Sequence, residues 1–305
     1  MKLSKLSVLL NTLFFTVIFF TSHAIQANPP PEEFEGEQGL STAFAGGGIT
    51  FLRGLDVLSL NPALLAFKER YTVLGNYMMP RQGRHHYSLG VLDFSKKAFA
   101  GGVSYSSLID SYDGDNPNHK SRTKYRLRAG LAHTFGKVAF GASVQLLSYF
   151  EVASIIEKKV YLFNGGFVLP LISKKLTLAG SVENLGNDKV KNDLNLLQIY
   201  RGGLSLSFMK KKLNFLIDYK QTENSSSNIN SKFVIAGVYL KPLKYLSLMG
   251  AYAHHLDNKP EERLYSTGVS LLSKKVEFNY GVKIKDQETE KRKVSHHFGL
   301  SYHLK

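Results

Sequence analysis

Residues 138–146 read VAFGASVQL. Val138, Phe140, Ala142, Val144 and Leu146 share one parity, and Ala139, Gly141, Ser143 and Gln145 the other. Successive side chains of a strand point to opposite faces. One face here is apolar and the other small or polar, the pattern of a half-buried strand. Residues 276–285 repeat it, with Val276, Phe278, Tyr280, Val282 and Ile284 against Glu277, Asn279, Gly281, Lys283 and Lys285. Working outward, the sequence predicts about fourteen such segments, near 71–79, 84–94, 97–107, 122–134, 137–149, 158–169, 175–184, 198–208, 212–221, 231–240, 245–254, 263–272, 275–286 and 292–304. Each spans roughly 9–13 residues, the length of a tilted strand crossing a bilayer.

The connections alternate in kind. "SKK" at 95–97, "FGK" at 135–137, "SKK" at 173–175, "MKKK" at 209–212, "KPLK" at 241–244 and "SKK" at 273–275 are short and basic. Between them fall longer polar loops at 109–121, 184–195, 222–230 and 256–262. Short turns at one end and long loops at the other are the pattern of a bacterial outer-membrane barrel, with the short turns periplasmic. An even strand count leaves both chain ends on that same side. A soluble sandwich would use shorter strands, about 5–6 residues, and would need an apolar inner face. Here the second face is largely Gly, Ser, Ala and charge, a poor dry core. The expected fold is therefore an all-β transmembrane antiparallel barrel of about fourteen strands.

The chain opens with Lys2 and Lys5, an apolar stretch Val8–Phe20, and small residues at Ser22, Ala24 and Ala27. This is the order of a secretory signal peptide over 1–27, with cleavage after Ala24 or Ala27. No stretch beyond residue 27 holds 18 consecutive apolar residues, so no membrane-spanning helix is expected. The 305 residues include no Cys and no Trp. That excludes a lipid-anchored Cys and suits passage through an oxidising compartment without disulfides.

Between signal and barrel lie residues 28–69, rich in Gly and Ala, ending in "LSLNPALLAF" at 58–67. Asn61 can cap a helix and Pro62 suits its first turn. Leu64, Leu65 and Phe67 would supply its apolar surface, and Lys68 and Arg70 suit its C-terminal dipole. A helix this short is not stable alone in water. A fourteen-strand lumen is too wide for its own side chains to fill. Residues 28–69 are thus expected as an N-terminal plug, with a short helix, inside a barrel of residues 70–305. Gly46, Gly47 and Gly48 would permit tight packing.

"GLSTAFAGGGITF…LDVLSLNPALLAF" resembles the N-terminal hatch of the outer-membrane long-chain fatty-acid transporters (FadL type) and of the related PorV/PorQ-like barrels. The matching elements are Ala45–Gly48, Asp56 and Asn61, Pro62, Ala63; "GSVENLG" at 180–186 resembles a mid-barrel strand end of the same group. The transporter resemblance implies uptake of a hydrophobic or amphipathic ligand past the hatch. The PorV-like resemblance implies an accessory in protein secretion, with a secretion-complex partner. Neither implies catalysis or a cofactor.

The final "HHFGLSYHLK" sets Gly299, Tyr302 and Leu304 at the spacing of a C-terminal strand signal for the barrel-insertion machinery. Lys305 departs from the aromatic ending usual there.

The net charge of +15 first suggests nucleic acid. Its placement points instead to lipid. Lys96, Lys97, Lys137, Lys174, Lys175, Lys210, Lys211, Lys212, Lys241, Lys244, Lys274 and Lys275 fall in the short turns, where bases beside anionic lipid gain about 1 kcal/mol each. Inside, parity turns Arg122, Lys124, Arg126, Arg128, Arg201, Lys220, Lys283, Lys285 and Lys293 inward, against Glu183, Asp218 and Glu277. Basic side chains on the lipid face would cost about 2–4 kcal/mol near the midplane. An electropositive lumen either pairs with plug acids such as Asp56 and Glu69 or attracts a carboxylate-headed ligand. Arg122, Lys124, Arg126, Arg128, Arg201 and Lys283 are the candidate ligand residues. His85–His86, His254–His255 and His296–His297 cannot chelate as pairs, because neighbours on a strand face opposite ways. No Ser, His and acid fall at a catalytic spacing, and Gly46–Gly48 lacks the Lys-Ser/Thr of a phosphate loop. No metal, cofactor or enzymatic activity is expected.

Overall fold

The computed structural model describes residues 39–52, 54–67, 71–79, 84–93, 99–110, 123–151, 156–172, 175–186, 197–224, 229–257, 262–287 and 290–304. The signal peptide expected over 1–27, and with it Lys68, Glu69, Arg70 and Arg122, lies outside the described residues.

The strands are β1 (Tyr71–Met79), β2 (Arg84–Asp93), β3 (Phe99–Asp110), β4 (Thr123–Phe135), β5 (Val138–Glu151), β6 (Ile156–Leu171) and β7 (Leu176–Leu185). They continue as β8 (Gln198–Phe208), β9 (Leu213–Asn224), β10 (Ile229–Leu243), β11 (Leu246–His255), β12 (Glu262–Leu272), β13 (Val276–Gln287) and β14 (Glu290–Leu304). Every strand pairs antiparallel with its sequence neighbours, and β1 pairs with β14 to close the ring. The closing register runs from Tyr71 opposite Leu304 to Met79 opposite His296. No helix among the described residues is long and apolar enough to cross a membrane.

Period-two alternation decides which way each face turns. Arg126 and Arg128 are buried while Leu127 and Leu131 of the same strand are 43% and 63% exposed. Leu89, Phe99, Tyr161 and Ile217 are likewise turned outward and open. Water would not favour so many large apolar side chains on one continuous surface. Each gains about 1.5–3 kcal/mol when covered by hydrocarbon, so a bilayer is the solvent this surface fits.

The two rims of that surface differ. At the long-loop end Tyr77 stacks with His85, leans on Tyr87 and faces Phe298, while Tyr280 packs on Phe298 and His296. Tyr77 and Tyr280 hydroxyls pair with the Nδ1 atoms of His85 and His296, at 2.6 and 2.9 Å. At the short-turn end the partners are Phe99, His133, Phe135 and Phe140, and farther round Phe208 with Phe215. Aromatic girdles of this kind flank the apolar band of membrane barrels.

Residues 39–67 carry no strand. They hold a 3-10 turn at Gly39–Phe44, a single α-helical turn α1 (Val57–Leu60), and a second 3-10 turn at Pro62–Phe67. The expected helix at Asn61–Phe67 thus winds as 3-10, and the α turn precedes it. The apolar run Val57–Leu60 is fully buried, as are Leu64 and Leu65, whereas Phe67 is 40% exposed.

Candidate functional site

The inner faces of the strands and the segment 39–67 form one contact system. Asn61 is its keystone. Its side-chain oxygen accepts the Ala63 N–H at 3.2 Å, capping the turn at Pro62 as its sequence position suggests. Its Nδ2 donates to the carbonyls of Ile49 at 3.1 Å and Phe167 at 3.2 Å. One amide therefore ties the turn, the preceding loop and β6 together.

The wall is cut to receive this segment. A Cβ on Gly141 of β5 would sit 2.3 Å from the Ala63 nitrogen, and one on Gly166 of β6 would sit 2.3 Å from Asn61 Oδ1. Only hydrogen leaves room at these two points. Beside them runs a polar chain. Ser143 Oγ donates to the Leu58 carbonyl at 2.5 Å, and Asn164 Nδ2 donates to Ser143 Oγ at 2.9 Å. Asn164 Oδ1 accepts the Asn184 N–H at 2.9 Å, and Gln145 Nε2 donates to Asn184 Oδ1 at 2.7 Å. Arg128 Nε ends the chain on Gln145 Oε1 at 3.1 Å. Such linked bonds rigidify a buried site when its members are satisfied.

On β9, Asp218 is fully buried and accepts the backbone N–H groups of Gly48 and Ile49. Asp56 accepts the Ser41 N–H at 2.9 Å. Farther round, Ser266 Oγ donates to the Ala43 carbonyl at 3.0 Å, and Thr42 Oγ1 meets His297 Nδ1 at 2.9 Å. Gly46 and Gly48 have φ of 82° and 92°, in the left-handed region glycine tolerates. Gly47 is needed for space instead, since a Cβ there would lie 2.9 Å from Asp218 Oδ2.

The candidate ligand residues do not converge on one point. Arg126 and Arg128 are buried on β4. Arg201 on β8 is ion-paired with Glu183 of β7, so that cation has a counter-ion within the wall. Lys220 of β9 stands opposite Arg201 in register, its Nζ 5.6 Å from the Phe233 ring centroid. Lys283 is partly buried on β13, and Lys124 is placed only by its β4 register, opposite Leu108 and Tyr149. The cations thus form separate stations around the ring. His86 and His297 are buried on the inner face and stand in register on either side of Met78. No group of His, Cys, Asp and Glu among the described residues could hold a metal ion.

A cavity of 610 Å³ opens at the short-turn end, between residues 44–67 and the ends of β6–β13. Its walls include Phe44, Phe51, Leu64, Tyr239 and Met249, and Lys211, Lys212, Lys241 and Lys244 border it. Four of the turn lysines expected at lipid headgroups therefore line the interior mouth. The 3-10 turn Met209–Lys211 carries Lys211 there, and the Lys241 N–H donates to the Lys212 carbonyl at 2.6 Å.

Sequence parity placed the inward residues but missed two features, the glycine sockets and the Asp218 clamp. Gly141 and Gly166 each fall on the inward parity, a signal that could have found the sockets. Nothing in the sequence couples Asp218 to Gly48, because they are 170 positions apart.

No protein-family model matches the chain, and no curated protein matches it in sequence. Its architecture matches solved structures across nearly the whole length of both chains. The Ralstonia pickettii toluene transporter TbuX superposes with a TM-score of 0.68 at 12% identity, covering 89% of this chain and 99% of that one. The Pseudomonas putida toluene transporter TodX gives 0.61 at 14% identity, covering 88% and 98%. A Pseudomonas aeruginosa FadL homologue gives 0.62 at 10% identity, covering 87% and 98%. The fold is that of the FadL-type barrels.

Proposed function

We propose that this protein is an outer-membrane transporter of hydrophobic small molecules, exported by its signal peptide, with residues 39–67 as the plug of its lumen. The observation that carries the reading is a buried, hydrogen-bonded segment lying across a closed ring whose outer surface is apolar. A general diffusion pore needs an open lumen, and an enzyme needs a convergent reactive group. The shared fold with the toluene transporters TbuX and TodX supports the same class of cargo. Within that class we favour an amphipathic, carboxylate-headed molecule. Arg126 and Arg128, buried together on β4, would meet its head group, since guanidinium binds carboxylate in a fixed geometry.

Reconstituted in planar bilayers, the intact protein is expected to be nearly silent, and deletion of residues 36–67 to open a large conductance. A porin-like conductance in the intact protein would overturn the plug. Arg126→Gln with Arg128→Gln should weaken uptake of dodecanoate while leaving dodecane nearly unchanged. Equal loss for both cargoes would remove the carboxylate preference. Co-purification with a large secreted protein, at unchanged hydrocarbon uptake, would favour the secretion-accessory role. For orientation, a cysteine at Lys211 should react only after the outer membrane is permeabilised, and one at Leu256 in intact cells.

A further inference from the structure

We infer that the cavity at the short-turn end is a binding site for a single-chain anionic amphiphile, separate from the arginines of β4. Phe44, Phe51, Leu52, Leu64, Tyr239 and Met249 make an apolar part of its wall, with Thr50, Thr177, Ser205, Ser207, Asn214 and Ser270 lining the rest. They surround a volume of 610 Å³, within the size of small-molecule sites. Phe51 packs edge-on against Phe44 at 5.0 Å and against Tyr239 at 5.9 Å, making a rigid aromatic floor. Four lysines border the cavity, Lys211 and Lys212 from the turn before β9, Lys241 near the end of β10 and Lys244 from the turn before β11. No carboxylate among the described residues is ion-paired with any of the four.

The one acid in the cavity, Glu277, is already engaged. Ser270 Oγ donates to its Oε1 at 2.8 Å, and His303 Nε2 lies 3.4 Å from its Oε2. A chain lying on Phe51 and Tyr239 would leave its head among the lysines, matching apolar to apolar and anion to cation. Arg126, Arg128, Arg201 and Lys283 do not line this cavity. The site thus adds a second binding station at the opposite end of the plug from those cations. A fatty carboxylate in transit and the phosphate head of a membrane lysolipid share this chemistry.

The test uses the absence of Trp from the chain. Phe51→Trp places a single fluorophore on the cavity floor, and Tyr239→Trp a second version should the first perturb folding. In nanodiscs, 11-bromoundecanoate should quench either reporter saturably, and 11-bromoundecanol should do so more weakly. Lys211→Gln, Lys212→Gln, Lys241→Gln and Lys244→Gln together should raise the half-quenching concentration of the acid about fivefold, in keeping with modest gains per exposed ion pair. The alcohol should be unaffected. Phe135→Trp, on the outer face, reports partition into lipid and should not distinguish the two rims. Stronger quenching by a brominated lysophosphatidylglycerol than by the acid assigns the site to membrane lipid, and the reverse assigns it to cargo. Unsaturable quenching, or an acid midpoint indifferent to the four lysines, overturns the inference. The site rests on residues 39–67 lying where the proposed plug puts them, but no flux is measured, so it is tested independently of transport.

Discussion

Across β5 and β6 the segment 39–67 seats its Pro62–Ala63 backbone and its Asn61 side-chain amide on two glycines; across β11–β14 it meets the wall mainly through Ala43 and single hydroxyls. On the first arc, Gly141 lies under the Pro62–Ala63 peptide and Gly166 under the Asn61 amide. On the second, the nearest atom to a Cβ at Gly268 is the Ala43 Cβ at 2.5 Å, and the bonds are those of Ser266 and Thr42. An alanine Cβ is fixed to its backbone, so both seats are close, and the arcs differ in bonding. On the first, Asn61 reaches the Phe167 carbonyl and Ser143 the Leu58 carbonyl within a linked polar chain; on the second, Ser266 and Thr42 bond singly. The first arc therefore holds the segment through a connected network and the second through separate bonds.

The sharpest way to break this asymmetry is Gly141→Val. The side chain has no space, so the segment should leave its seat and bilayer recordings should show large openings. Gly202→Ala, where nothing lies within 4 Å, should stay silent. Asp218→Ala comes next, stranding the Gly48 and Ile49 N–H groups at about 1–3 kcal/mol for each buried donor. Hydrogen exchange should report faster opening at residues 46–50. Asn61→Ala removes a cap and two donated bonds, and chemical unfolding in lipid should register a loss of about 1–3 kcal/mol. Ser266→Ala, on the second arc, should cost only about 0.5–1.5 kcal/mol by the same measurement. Equal costs for Asn61→Ala and Ser266→Ala would erase the difference between the arcs.

The ring itself was legible because one physical rule, alternation between lipid and lumen, repeats through every strand. Val276 to Ile284 and Val138 to Leu146 announce their strands without reference to anything distant. Asn61 was legible as a cap for the same reason, since its partner Ala63 is two residues away. What alternation leaves out is depth and azimuth. It turns Arg201 inward without naming Glu183 as its counter-ion, and it gives the turn lysines no preference between headgroup and cavity. Those choices depend on how strands stagger around the closed ring. The break between the α turn and the 3-10 turn falls at Asn61, which is extended (φ −160°, ψ 92°) ahead of Pro62, as the residue before a proline prefers.

Closure through β1 and β14 also has a meaning in time. The ring is complete only when Leu304 lies beside Tyr71. Thr42 and Ala43 bond to β14 and β12, strands more than 200 residues along the chain from the segment. The full set of the segment's partners therefore exists only in the closed ring. A segment bonded to strands on opposite sides of the ring is most simply seated by closing the sheet around it, with no finished pore to thread.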